Sequence, residues 1–390
     1  MVRVMNIGSE RQYSVLMVLG LSLFCAMLGI GVISPILPIY AQKMGANGLA
    51  LGAIVGAFSF SRIWGMAVSG ELAEHMDRKR LLVSGLFIYA LASIAYTMIG
   101  STGELILVRM GHGLGSAMVV PIAMAIGSDI APIGSEGAVL GSLQGALFVG
   151  MGFGPLLSGV LAEKVHFMAP FFAMTLLTVL SMGLILRFLP ASRPLRAVVA
   201  VSGMKEALAG ILRDREMVIV FLFQFCSAMC RGVLVMVIPL IATDLRFSLS
   251  WVGFIVSLNA LATGVLQGFS GRLADRVSRH ALVVAGGCVS AGTLLLLPHI
   301  DTLWGLVVAS IAFGTGHALA SPSLAAISSC RSLTYGSGRI MGLFNMAFSL
   351  GMAVGPVVIG ILLDVLQNAL PYYLLSGVLF LSVLPFLRRT

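Results

Sequence analysis

Twelve predominantly apolar runs divide this 390-residue chain. Each is close to or above the roughly 20 residues a helix needs to cross a bilayer. They fall at 14–40, 49–72, 81–100, 104–131, 137–163, 168–189, 216–243, 249–272, 280–298, 302–330, 338–364 and 370–388. With only 10% charged residues against 58% hydrophobic, the chain cannot cover a water-facing surface. A soluble enzyme, a nucleic-acid-binding domain and a secreted disulfide scaffold are therefore excluded. The expected fold is an all-α polytopic membrane protein. The first apolar run is too long for a secretory signal and lacks a cleavage site, so no processed leader is expected.

Charge placement orients the spans. If both termini are cytoplasmic, that side receives 18 of the 24 Lys and Arg residues. The outer side receives Lys43, Lys164 and Arg246, and Arg62, Arg109 and Arg231 lie within spans. An 18-to-3 excess is the positive-inside pattern, and it accounts for the net charge of +9 without nucleic acid. A multi-pass protein of the cell inner membrane is expected. Most connections are short. The exception, 191–215, holds Pro, Arg and Lys and reads as a cytoplasmic linker between an N-terminal six-helix bundle (1–190) and a C-terminal one (216–390).

Shifting the chain by 201 residues superimposes its landmarks. Gly31 meets Gly232 and Pro38 meets Pro239. Gly70, Leu72, Ala73 and Arg78 meet Gly271, Leu273, Ala274 and Arg279. Gly113, Gly115 and Pro121 meet Gly314, Gly316 and Pro322. Gly150, Gly154, Pro155 and Gly159 meet Gly351, Gly355, Pro356 and Gly360. Six spans separate the copies, so both insert in the same orientation. Parallel repeats of this kind predict two bundles related by a pseudo-two-fold axis along the membrane normal, with a site between them. This is the architecture of a transporter working by alternating access. No nucleotide-binding loop, nucleophile motif or metal cluster points to an enzyme. The five cysteines fall in apolar stretches and read as small core residues. Neither a metal nor a cofactor is expected.

Four motifs resemble those of the major facilitator superfamily, over the whole chain. Gly70–Leu82, "GELAEHMDRKRLL", looks like its cytoplasmic signature after span 2, and Gly271–Val283, "GRLADRVSRHALV", is a second copy. Gly150, Gly154, Pro155 and Gly159 resemble the span 5 signature of the twelve-span drug:proton antiporters. "SPILP", Ser34–Pro38, resembles the end of span 1 in that group, and Arg109 with Gly113 and Gly115 resembles its span 4 signature. The resemblance implies a proton-coupled exporter of small lipophilic or amphipathic compounds. It also links Arg109 to coupling. The chain departs from the pattern in four ways: Glu74 stands for Asp, Asp77 for Gly, Ser158 for Gly, and span 1 has no acid.

The residues themselves suggest roles. Glu74 and Asp275 are placed to face helix N-termini near Ser337 and Glu136, where the macrodipole favours negative charge. With Gly70, Asp77, Arg78, Asp129, Gly271 and Arg279 they form a candidate cytoplasmic gate; the bland alternative is a solvated topology signal. Gly150, Gly154, Pro155 and Gly159 form a close-packing, bent helix, read either as a seal between the halves or as ordinary tight packing. A central arginine costs about 2.5–3.5 kcal/mol on insertion scales, so three of them demand a reason. Arg62, Arg109 and Arg231 bind an anionic substrate group, pin helices through backbone carbonyls, or divide coupling and pinning between them. His112 and His317 titrate near neutrality and are candidates for carrying the coupling proton; a lone histidine in a bundle is more often a packing residue. The second functional reading is a transporter for an organic anion or metabolite held by the arginines. Expected partners are a small-molecule substrate, protons and membrane lipid, with no nucleic acid, and the chain is expected to act as a monomer.

Overall fold

The computed structural model describes residues 9–130, 136–190, 213–273, 276–329, 337–366 and 369–387, and the described residues contain no strand. The first half holds α1 (Ser9–Ile33), α2 (Ile36–Lys43), α3 (Gly48–His75), α4 (Arg78–Ala95), α5 (Thr102–Ile130), α6 (Glu136–Lys164) and α7 (Ala169–Phe188). The second holds α8 (Arg215–Asp244), α9 (Leu249–Leu273), α10 (Arg279–Leu296), α11 (Leu303–Ser329), α12 (Ser337–Val365) and α13 (Leu370–Leu387). Most of the linker, 191–212, lies outside the described residues. Eleven segments are long and apolar enough to span a membrane, α1 and α2 together counting as one. The twelfth helix, α4, carries Arg78, Lys79 and Arg80 in its first turn, which dilutes an otherwise apolar helix.

The first apolar run is one span made of two helices. Pro35 has no N–H to donate to the carbonyl four residues earlier, and the carbonyl of Gly31 accepts from Ser34 N instead at 3.2 Å. The chain restarts as α2, with Ile36 to Ala41 all buried. Met236 occupies the position equivalent to Pro35, and α8 runs unbroken although it contains Pro239.

Successive spans traverse in alternating directions, so the starts of α1 and α8 and the ends of α7 and α13 share one face, here the terminal face. The opposite one is the far face. In the first half α1 packs on α6 and α7, α3 on α5, and α4 on α5 and α7; in the second α8 packs on α12 and α13, α9 on α11, and α10 on α11 and α13. Two seams join the halves, α3 with α12 and α6 with α9. One buried core, from Val15 to Leu189, belongs to the first half alone. The other runs through the second half and reaches Ile33 to Val55, Tyr96 and Phe171 of the first. The halves thus share a core at the far face.

Candidate functional site

The seams are built from small residues because two helix backbones approach there. On the α3–α12 seam, a Cβ on Gly48 would lie 2.7 Å from Asp364 Oδ1, and Cβ atoms on Gly52 and Gly56 would strike the carbonyls of Pro356 and Ala353. On the α6–α9 seam, a Cβ on Gly159 would lie 3.0 Å from Ser250 Cα, one on Gly253 would strike the carbonyl of Pro155, and one on Gly264 would lie 2.9 Å from Phe148. Ser257 Oγ donates to the carbonyl of Gly152. These contacts run from the far face to the middle of each helix. Beyond them the same stripes continue without a described contact. Gly141, Gly145 and Gly342 meet no described atom within 4 Å, and Gln144 and Asn345 are exposed. Among the described residues, the seams are in contact at the far face and apart toward the terminal face.

The span 5 signature divides between two faces of α6. Cβ atoms on Gly150 and Gly154 would lie 2.5 Å from Phe24 O and 2.6 Å from Leu28 O of α1, within the first half. Gly159 and the carbonyl of Pro155 meet α9, across the seam. In the second copy, Gly351 and Gly355 likewise pack on α8, and Gly360 meets Gly48 across the seam. Part of the motif packs a bundle internally, and part joins the two halves.

Two carboxylates absent from the motif reading hold the far ends of both seams. Asp364, at the end of α12, accepts from Gly48 N at 2.8 Å through Oδ1 and from Leu49 N at 2.9 Å through Oδ2. Asn47 Oδ1 accepts from Ala50 N at 2.9 Å. The first three N–H groups of α3, which no helical carbonyl can reach, are thereby all satisfied. Glu163, at the end of α6, accepts from Ser250 N at 2.8 Å at the start of α9. Its other oxygen lies 3.5 Å from Lys164 Nζ.

At the opposite ends, Gly70, Glu74, Asp129 and Gly271 lie in helical backbone, but their side chains are outside the described set, as is all of Asp275. Asp77 is the N-cap of α4 and accepts from Lys79 N at 2.8 Å. Ser278, its partner in the repeat, caps α10 by accepting from Ala281 N. A capping residue is what this turn needs, which explains the departure from Gly. Arg78 opens α4. Arg279 Nη1 donates to Ala326 O in the last turn of α11 at 3.5 Å, where the macrodipole favours a cation. Lys79 Nζ ties α4 to the end of α7 through Leu186 O at 2.9 Å and Leu189 O at 2.5 Å.

The intramembrane cations form two groups. Arg109 donates from Nε to Ile54 O at 3.2 Å and from Nη2 to Val55 O at 3.5 Å. Its guanidinium carbon lies 4.8 Å from the Phe58 ring centroid. One turn on, His112 is fully buried. Its Nδ1 lies 3.2 Å from Tyr96 Oη, and its ring sits edge-on to Phe58 at 5.1 Å and to Tyr89 at 4.6 Å. Arg62 and Arg109 both interact electrostatically with Tyr89. In the second half Arg231 interacts with His317, whose ring centroid is 6.2 Å from that of Phe348. Arg62 Nε, Arg231 Nη1, His112 Nε2 and His317 Nδ1 are buried without a hydrogen-bond partner. Among the described residues no carboxylate pairs with any of these five. Arg109 has the geometry of a helix pin; Arg62 and Arg231 retain unused donors. Phe58, Tyr89 and Tyr96, which surround His112, had no sequence signal beyond aromatic character.

The family model described as Major Facilitator Superfamily matches residues 19–223 and 220–390. An uncharacterized MFS-type transporter of Methanocaldococcus jannaschii is 27% identical over 361 residues, 91% of this chain and 92% of the relative. Multidrug resistance protein 1 of Bacillus subtilis is 25% identical over 387 residues, 96% of each chain. A crystal structure of the nucleoside transporter NupG superimposes with a TM-score of 0.84 at 13% identity, covering 96% of this chain and 99% of that one.

Proposed function

Because the chain belongs to the major facilitator superfamily, we propose that it is a proton-coupled exporter of small lipophilic or amphipathic organic compounds, working by alternating access. Membership makes it a transporter and not an enzyme. The observation that carries the finer reading is the end-to-end similarity to Multidrug resistance protein 1. The span 5 signature and the opening toward the terminal face support it. In this reading the chain lies in the cell inner membrane as a monomer, with both termini cytoplasmic. Residues 1–190 and 216–390 are two six-helix bundles related by a pseudo-two-fold axis along the membrane normal, and they rock about the seams. The structure then corresponds to the inward-open state. Arg109 pins α5 to α3, His112 and His317 are the candidate proton carriers, and Gly70–Arg80 and Gly271–Arg279 close the cytoplasmic side.

One observation favours a second reading. Arg62 and Arg231 present buried, unpartnered donors with no carboxylate beside them among the described residues, and such donors suit a carboxylate or phosphate on an organic anion. A single experiment separates the two. Purified protein in liposomes loaded with a pH dye is offered lipophilic cations, neutral drugs and organic anions. Proton movement with cations or neutral drugs supports the exporter. Movement with anions alone, lost in Arg62→Gln and Arg231→Gln, supports the second reading. Labelled substrate crossing without any proton movement removes proton coupling from both.

A further inference from the structure

Glu163 and Asp364 stand 201 residues apart, the offset of the repeat, and so do their partners, Leu49 and Ser250. Each acid ends one helix of a seam, and each accepts from backbone N–H groups in the first turn of the antiparallel partner helix. The two carboxylates therefore make the same bond across both seams, from one half of the chain to the other. Each bond sits where the far-face backbones pack tightly: the Gly48 position abuts both Asp364 Oδ1 and Gly360 O, and the Gly159 position abuts Leu249 O and Ser250 Cα. A carboxylate on a helix N-terminus is held by charge-assisted hydrogen bonds and by the macrodipole. Neither bond survives if the far ends separate, since each joins one half of the chain to the other.

We infer that Glu163 and Asp364 are positioning residues for transport, paired latches that hold the far-face gate shut. The sequence places a matching acid at the other end of each seam, Glu74 ending α3 and Asp275 following α9. In the sequence, all four seam helices thus carry an acid at or just past their C-terminal end. Closure at one face with release at the other exchanges one pair of latches for the other. The two end states then differ little in bonding.

The inference does not depend on which compound is carried or on proton coupling, so it is tested without substrate. Spin labels are placed at Val165 and Arg246, exposed positions flanking the α6–α9 seam, in a chain with its five native cysteines replaced. Distances are read in lipid nanodiscs for the parent, Glu163→Gln, Glu163→Ala, Asp364→Ala and Glu163→Ala/Asp364→Ala. Gln retains an accepting oxygen without the charge, so the separated population rises in the order parent, Gln, Ala, double variant. Each latch removed raises it about 2- to 5-fold, the range expected for a charge at a helix end. Glu104→Ala is the control. It removes a far-face carboxylate that bonds Gly100 N within its own half, and it leaves the distances unchanged. The inference is overturned if neither single variant alters the separated population, or if Glu104→Ala alters it as much. Should the double variant fail to fold, the single variants and the Gln–Ala ordering decide the matter.

Discussion

The far half and the terminal half of each seam are made of the same helices and the same kind of residue, yet one is closed and the other open. In the far half, Gly48, Gly52 and Gly56 leave no room for a side chain against α12, and Gly159, Gly253 and Gly264 leave none between α6 and α9. In the terminal half, Gly141, Gly145 and Gly342 continue the stripes and touch no described atom. A small-residue stripe thus marks where helices are able to meet, not where they are meeting. The closed half has its ends tied by a carboxylate on each seam. The stripe supplies the surface for closure, and at the far face a carboxylate tie accompanies it.

The largest effect should come from crowding the closed half. Gly52→Leu or Gly253→Leu places a branched side chain against a backbone carbonyl. Overpacking of this kind costs about 1–3 kcal/mol, so closure of the far face should weaken roughly 5- to 150-fold and transport should fall with it. Flux in proteoliposomes and far-face cysteine labelling together check this; normal flux would show that the seam opens and closes elsewhere. Next is Arg109→Met, which removes two charge-assisted bonds to α3 and strands a packed site beside Phe58. A loss of about 1.5–3 kcal/mol is expected, read as a lower unfolding temperature in detergent.

Crowding the open half should act in the opposite sense and more weakly. Gly141→Leu and Gly342→Leu meet no described atom in this state, so stability should be unchanged while flux falls only several-fold. A transport rate equal to the parent's would mean that these stripes never meet. The smallest effect is expected for Lys79→Ala, which loses the tie to the Leu186 and Leu189 carbonyls. A cation at a helix C-terminus is worth about 0.3–1 kcal/mol, detectable as a slight shift in thermal unfolding.

Much of this was legible in the residues. The apolar runs located the spans to within a few positions, and the 201-residue offset marked equivalent positions in the two halves. Hydropathy hid the break after Ile33, because Pro35 interrupts the backbone without interrupting the apolar character. The span 5 signature was visible, but not its division between α1 and α9: helical spacing gives two adjacent faces and does not say what lies against each. Arg109 stood out as a buried cation, whereas its bonding to Ile54 O and Val55 O depends on a neighbouring helix 55 residues away. Glu163 and Asp364 looked like ordinary acids at span ends. Their role rests on helix starts 87 and 316 residues distant, which no local pattern encodes.

The unequal sharing of the two cores has a consequence for biogenesis. The core from Val15 to Leu189 is drawn wholly from residues up to the C-cap of α7, so all of its residues are made before the ribosome has translated α8. The other core joins Ile36, Tyr40, Leu51 and Phe171 to Val383 and Phe386 of the final helix. The far ends of α2 and α3 therefore wait through the synthesis of half the protein for the surface that buries them. A chaperone or translocon chamber that shields nascent helices has most to cover there, and a chain arrested after residue 190 would keep its first core and lose its far-face cover.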